Sequence, residues 1–452
     1  MTEEAVPGDW RWPDPDDGED VEIRIANLQG LLHAWPHDTA VRRELGFELV
    51  GAQRWEEAVG VLSSVVELAP WDVEVLLDLG RALAALERWG DAEEQFTAAV
   101  ALRPGCAAAH GELGYVLLQQ QRLEDAGASC RAALACDPAS ALGHLGLAEV
   151  LQAGDARADE VAVHARAAVA GWPGSAWGHV VLGQALLDGG DYDGAYRAAS
   201  RAHELAPGWG RTGEVLCFAL GELQRWKEAV QTAERAVAVQ ATPWTLNALG
   251  WALVGRGRLH AAEQVLRQAV AMGPAVRICR WNLACLLVRV GRTREAGTHL
   301  AVLLRGDLDD GQAHGLLGWI HLMSGRKEQA REELGRAVRL LGATRTAAWP
   351  LLLLGVLERA GDPPLARRHF AAAAAMTYRL PSAGVYSHPC ATGETRALAF
   401  AALGDMDRAR RCLQEALAVR DGADRFDPRL YGLFTQPPLA GLDVLIGLWD
   451  GL

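Results

Sequence analysis

A leucine followed by a small residue recurs along this chain at a nearly constant step. It appears as Leu45-Gly46, Leu79-Gly80, Leu113-Gly114, Leu147-Ala148, Leu182-Gly183, Leu216-Cys217, Leu249-Gly250, Leu283-Ala284, Leu317-Gly318 and Leu354-Gly355. The steps are 34, 34, 34, 35, 34, 33, 34, 34 and 37 residues. A period of that length, sustained over most of 452 residues, predicts a row of like units instead of one large globular core. Each unit stacks on the next, because one unit alone cannot bury its apolar face.

The rest of the period says what a unit is. An alanine follows most of these leucines by twelve or thirteen residues: Ala58, Ala92, Ala126, Ala195, Ala229, Ala262, Ala296, Ala330 and Ala366. A second alanine often comes seven residues later, as at Ala99, Ala133, Ala202, Ala236, Ala269, Ala337 and Ala373. Pro70, Pro104, Pro138, Pro173, Pro207 and Pro274 close many units. Apolar residues at helical spacing give two amphipathic helices per unit, split by turns such as Arg54-Trp55, Gly190-Asp191 and Gly257-Arg258. The small residues let paired helices approach closely, and proline stops the second helix. This pattern resembles the tetratricopeptide repeat over about residues 39–420. The resemblance implies an all-α, right-handed superhelical solenoid of about ten to eleven helical hairpins.

Boundaries follow from where the register starts and fades. Residues 1–20 carry Glu3, Glu4, Asp9, Asp14, Asp16, Asp17, Glu19 and Asp20 and read as a disordered acidic tail. Trp10 and Trp12 within it suggest a segment that docks back on the array. Residues 21–38 read as an N-terminal capping helix, 39–376 as the array of about ten units, and 377–393 as a long loop. A degenerate unit at 394–420 precedes an apolar cap at 421–452, whose run from Leu439 to Trp449 either folds back or pairs with a second chain.

In arrays of this family the first helix of each unit lines the concave wall. The resemblance therefore points to the second, fifth, sixth, ninth, twelfth and thirteenth positions of each unit as groove positions. Early units place acids there, notably Glu74, Asp78, Glu112, Glu149 and Glu214. Later ones place Trp177, Phe218, Trp244, Trp251, Trp281, Trp319 and Trp349, with Asn247, Asn282 and Arg289 interleaved. Aromatic anchors in a concave groove make binding hot spots. The competing arrangement is a tightly wound array in which the rings pack on one another. The first alternative predicts a protein–protein interaction scaffold that takes a peptide or protein segment with a basic part and an apolar part. The carboxylate-gripping pattern of chaperone-binding relatives is missing, since the corresponding sites hold Leu77, Arg81, Glu112 and Arg211.

Several function classes are disfavoured. A net charge of −13 argues against nucleic acid and anionic membranes as partners. No apolar run is long enough to span a bilayer and no secretory leader is visible, which predicts a cytoplasmic location. Eight scattered cysteines suggest neither a disulfide framework nor zinc, and no cofactor motif is present. His110, His144, His179 and His314 recur at the fourth position of their units, but equivalent helices stand too far apart to share a metal. The alternative to a scaffold is an enzyme, or a carrier of a small hydrophobic ligand. It would use the aromatic groove and the His388/Cys390 pair in the long loop.

Overall fold

The computed structural model describes residues 21–154, 157–342, 347–359, 361–375 and 392–418. Among these residues there are only helices and connecting turns. A first helix, α1 (Val21–Ala34), precedes a run of hairpins. These are α2–α3 (Thr39–Gly51, Trp55–Leu68), α4–α5 (Val73–Ala85, Trp89–Leu102), α6–α7 (Ala107–Gln119, Leu123–Cys136) and α8–α9 (Ala141–Ala153, Ala158–Gly171). Next come α10–α11 (Ala176–Gly189, Tyr192–Leu205), α12–α13 (Gly210–Glu222, Trp226–Val239), α14–α15 (Pro243–Gly255, Leu259–Met272) and α16–α17 (Arg277–Arg289, Thr293–Gly306). The last are α18–α19 (Gly311–Met323, Lys327–Leu341), α20–α21 (Ala348–Glu358, Pro363–Ala375) and α22–α23 (Thr392–Ala402, Met406–Ala418). The fold class is the all-α hairpin solenoid that the period predicts.

Two compact units divide the chain. Among the described residues, one holds 21–186 and 197–206, the other 187–196 and 207–418. Within each, helices pack on their neighbours in sequence and on the next helix but one.

The small residue after each leucine sits where the second helix crosses the first. A Cβ at Gly46 would lie 2.2 Å from Leu62, at Gly80 2.6 Å from Phe96, and at Gly250 2.6 Å from Leu266. No side chain fits in that space, so a larger residue would push the hairpin apart. The alanines of the second helix, such as Ala58, Ala92, Ala126 and Ala262, are fully buried against the same seam.

Several first helices start on side-chain caps: Asp38 accepts from the Ala40 and Val41 amides at 2.9 and 3.1 Å, and Asp310 from the Ala313 amide at 3.0 Å. Thr242 and Thr245 form a reciprocal capping box at the start of α14. Second helices start differently. Most follow a turn residue of positive φ, glycine at 190, 257, 291, 325 and 404 but Gln53, Glu87, Gln121 and Gln224 elsewhere.

Candidate functional site

The first helices carry the residues that the sequence marks as groove positions, and the structure places most of them in the interior. Trp177, Trp251, Trp281, Trp319 and Trp349 are 6 % exposed or less, and Phe218 is buried with them. Six rings opening on one accessible hollow is therefore not what the structure contains. Trp244 and Arg289 are half-buried.

Ring-on-ring packing accounts for the burial. Phe218 on α12 meets Trp251 on α14 edge to face at 5.2 Å, and Trp226 packs on the same indole at 4.9 Å. Trp319 and Trp349 lie 5.4 Å apart, and Tyr115 meets Trp177 at 5.3 Å. Aromatic pairs at such separations attract beyond their buried area, so a ring one helix away is a better partner than water. Glycines make the room: a Cβ at Gly221 would fall 2.1 Å from Trp251, and one at Gly255 would fall 2.2 Å from Trp226. This is the mutual packing that the sequence left open as the alternative.

The acids are also more engaged than their exposure-neutral spacing suggests. Asp78 and Glu112, both buried, share the Arg81 guanidinium at 2.9 Å each. Burial raises the pKa of both carboxyls, and Arg81 only partly opposes it. Glu74 is exposed and paired with Arg103 at 2.9 Å, and half-buried Glu149 accepts a hydrogen bond from the Trp177 indole at 2.7 Å. The expected open acidic wall is thus largely an internal polar network in the first unit.

One polar track remains on the first helices of the second unit. Glu214 is buried on α12, and its Oε1 accepts from Arg211 at 2.7 Å. Its Oε2 is buried with no hydrogen-bond partner. Asn247 and Asn282, on α14 and α16, are buried and joined by a 2.8 Å bond from Asn282 Nδ2 to Asn247 Oδ1. Phe218 lies one helical turn beyond Glu214, so acid and aromatic cluster share a stretch of α12.

Some functional-looking residues turn out to hold the frame. His110, His144, His179 and His314 donate Nε2–H to the carbonyl six residues earlier, at 2.9, 3.0, 3.1 and 3.0 Å. Arg280 does the same to Pro274 at 2.9 Å. The fourth position thus closes the boundary between units, a role the recurrence signalled but composition could not define. The buried thiols are poor nucleophiles: burial pushes Cys130 and Cys279 up to about 12 and raises Cys217 and Cys285 as well. The His388/Cys390 pair, the N-terminal tail with Trp10 and Trp12, and the run from Leu439 to Trp449 lie outside the described residues. Among the described residues, no group of three or more His, Cys, Asp or Glu is placed to hold a metal, and no helix is long and apolar enough to cross a membrane.

Two family models described as tetratricopeptide repeat match the sequence, one at residues 77–141 and 281–348, the other at 176–201 and 243–268. The chain belongs to the tetratricopeptide repeat family. No curated protein sequence matches it. Among solved structures it is similar to the human IFIT1 dimer with PPP-AAAA, at 15 % identity and TM-score 0.52, over 89 % of this chain and 95 % of that one. The human IFIT1 dimer with m7Gppp-AAAA matches at 14 % identity over the same shares of the two chains, again with TM-score 0.52. For a tetratricopeptide protein, then, excluding nucleic acid on net charge does not stand, since structures of this fold were solved with such ligands. Net charge sums the whole surface, whereas a binding site responds to the few charges beside it.

Proposed function

We propose that the chain is a non-catalytic interaction scaffold that binds a segment of a partner protein along the first helices of its second unit. A basic side chain of that segment is received at Glu214, and its apolar part lies towards Trp244. The observation that carries this reading is the Glu214 Oε2 oxygen, buried without a partner. A buried unsatisfied carboxylate oxygen costs stability, and a hairpin solenoid has no need of one at this position. A partner's ammonium or guanidinium would satisfy it.

Titration of the protein with an array of peptides bearing a basic residue followed by apolar residues tests the reading, with wild type and Glu214→Gln compared. The variant keeps the shape and removes the charge. It should bind about tenfold more weakly, while its melting temperature falls only slightly, because the ion pair it loses is with the partly exposed Arg211. Unchanged affinity would abandon the assignment. An AAAA oligonucleotide in the same titration decides the ligand class: if it binds and the peptides do not, the scaffold takes nucleic acid instead.

A further inference from the structure

On the second unit, a cavity of about 1020 Å³ opens beside the start of α17 and the face of α18. Its wall carries Arg292, Arg294 and Arg326 against a single carboxylate, Glu295. That carboxylate is already taken by Arg267 and Arg292. The lining is therefore cationic in a chain whose net charge is −13.

Comparison with the other hairpins explains how the cavity arises. An arginine precedes most second helices and is neutralised locally: Arg54 by Glu57, Arg88 by Asp91, Arg122 by Asp125 and Arg225 by Glu228. Arg122 and Arg292 also reach a carboxylate five residues beyond the equivalent arginine of the preceding unit, Glu93 and Glu263. At Arg326 the two corresponding residues are Gln329 and Gly297. Gly297 lines the cavity, and a Cβ added there would meet nothing within 4 Å. The place that Glu93 takes on α5 and Glu263 on α15 is open space here. The side chains of Arg294 and Arg326 have no hydrogen-bond or ion-pair partner among the described residues, and both residues are exposed.

Further features of the lining point the same way. The first turn of α17 forms part of the wall and has no side-chain cap, so its positive end is available to an anion. His321 also lines the cavity, and its Nδ1 is buried without a partner. Leu317 and Ile320 supply an apolar floor. The volume lies at the upper end of what small-molecule sites use and far exceeds a bare phosphate.

We propose that this cavity binds a nucleotide, with its phosphates held by Arg294 and Arg326 and its base lying on Leu317 and Ile320. Guanidinium groups match phosphate oxygens in geometry as well as charge, and an apolar floor suits the face of a base. Calorimetric titration of the full chain at low ionic strength tests it, with ADP, pyrophosphate and adenosine as probes. ADP should bind saturably, pyrophosphate more weakly, and adenosine more weakly still. Arg294→Ala and Arg326→Ala should each weaken ADP about tenfold or more. Gly297→Glu places there the carboxylate that α5 and α15 carry at Glu93 and Glu263 and should abolish binding. Arg258→Ala, at the equivalent arginine of another hairpin, should change nothing. Absence of saturable ADP binding overturns the proposal, as does an equal loss in Arg258→Ala. Pyrophosphate binding as tightly as ADP overturns the contact to the base, and adenosine binding as tightly as ADP overturns the contact to the phosphates. Should Gly297→Glu lower the melting temperature, the two exposed arginines carry the test by themselves.

Discussion

At the scale of single residues, the most constrained charges are those around Arg81. Its guanidinium serves two buried carboxylates on α4 and α6, and so ties successive hairpins together. Removing one member of a buried charged set leaves the others uncompensated, which is far worse than never having had them. Arg81→Met should therefore destabilise the protein by about 3–5 kcal/mol at neutral pH. The pH dependence has a definite sign. Asp78 and Glu112 already have raised pKa values through burial, and loss of Arg81 raises them further. A carboxyl whose folded value lies above its unfolded one favours the fold when protonated. That contribution is complete below the ordinary carboxylate range and is lost as pH rises through the folded value. The variant should thus recover stability as pH falls towards the ordinary carboxylate range, as urea titrations across that interval would show. A deficit that does not shrink on acidification would mean that the two carboxyls are not the groups left stranded.

Among helices and turns, the period made the architecture legible before any coordinates, because each recurrent residue answers a packing need that repeats. Gly80 against Phe96 and Gly250 against Leu266 are two instances of one crossing. The candidate site was much less legible. Position within a first helix says which way Trp251 points, but not that Phe218 and Trp226 wait there to cover it. That depends on how far neighbouring hairpins close, which Gly221 and Gly255 permit and no helical period encodes. The histidines at fourth positions show the converse, a recurrence visible in sequence whose hydrogen-bond target appears only in three dimensions. The hairpin turns hold a further regularity. Gln121 occupies the left-handed region with φ 62°, where Gly257 and Gly291 stand in other units. A side chain there costs about 1–2 kcal/mol in backbone strain, while glycine adds freedom to the unfolded chain. Gln121→Gly should stabilise by about 0.5–1 kcal/mol net, whereas Gly257→Ala should destabilise by a similar amount. Thermal unfolding of both variants checks the pair, and a loss in each would show that the Gln121 side chain does more than occupy a turn.

For the molecule as a whole, the consequence of a hairpin row is that stability is assembled from neighbours. The substantial contacts run between consecutive helices and between helices one apart. In such an array free energy is close to a sum of unit terms and nearest-neighbour interfaces, so different stretches need not unfold together. Phe96 offers a clean place to test this, being fully buried on α5 at the seam where Gly80 allows its approach. Phe96→Ala should cost about 3–5 kcal/mol locally. Amide exchange should then accelerate across α4 to α7 and stay unchanged in α14 to α19. Two-state unfolding would instead speed exchange of the slowest amides everywhere by the same factor. Uniform acceleration would mean that the chain behaves as one cooperative body and that its hairpins are energetically inseparable. If the effect stays local, binding at Glu214 or at the arginine-lined cavity can stiffen the second unit while the first keeps its own stability, because a ligand adds free energy only to the segment whose folded form it requires.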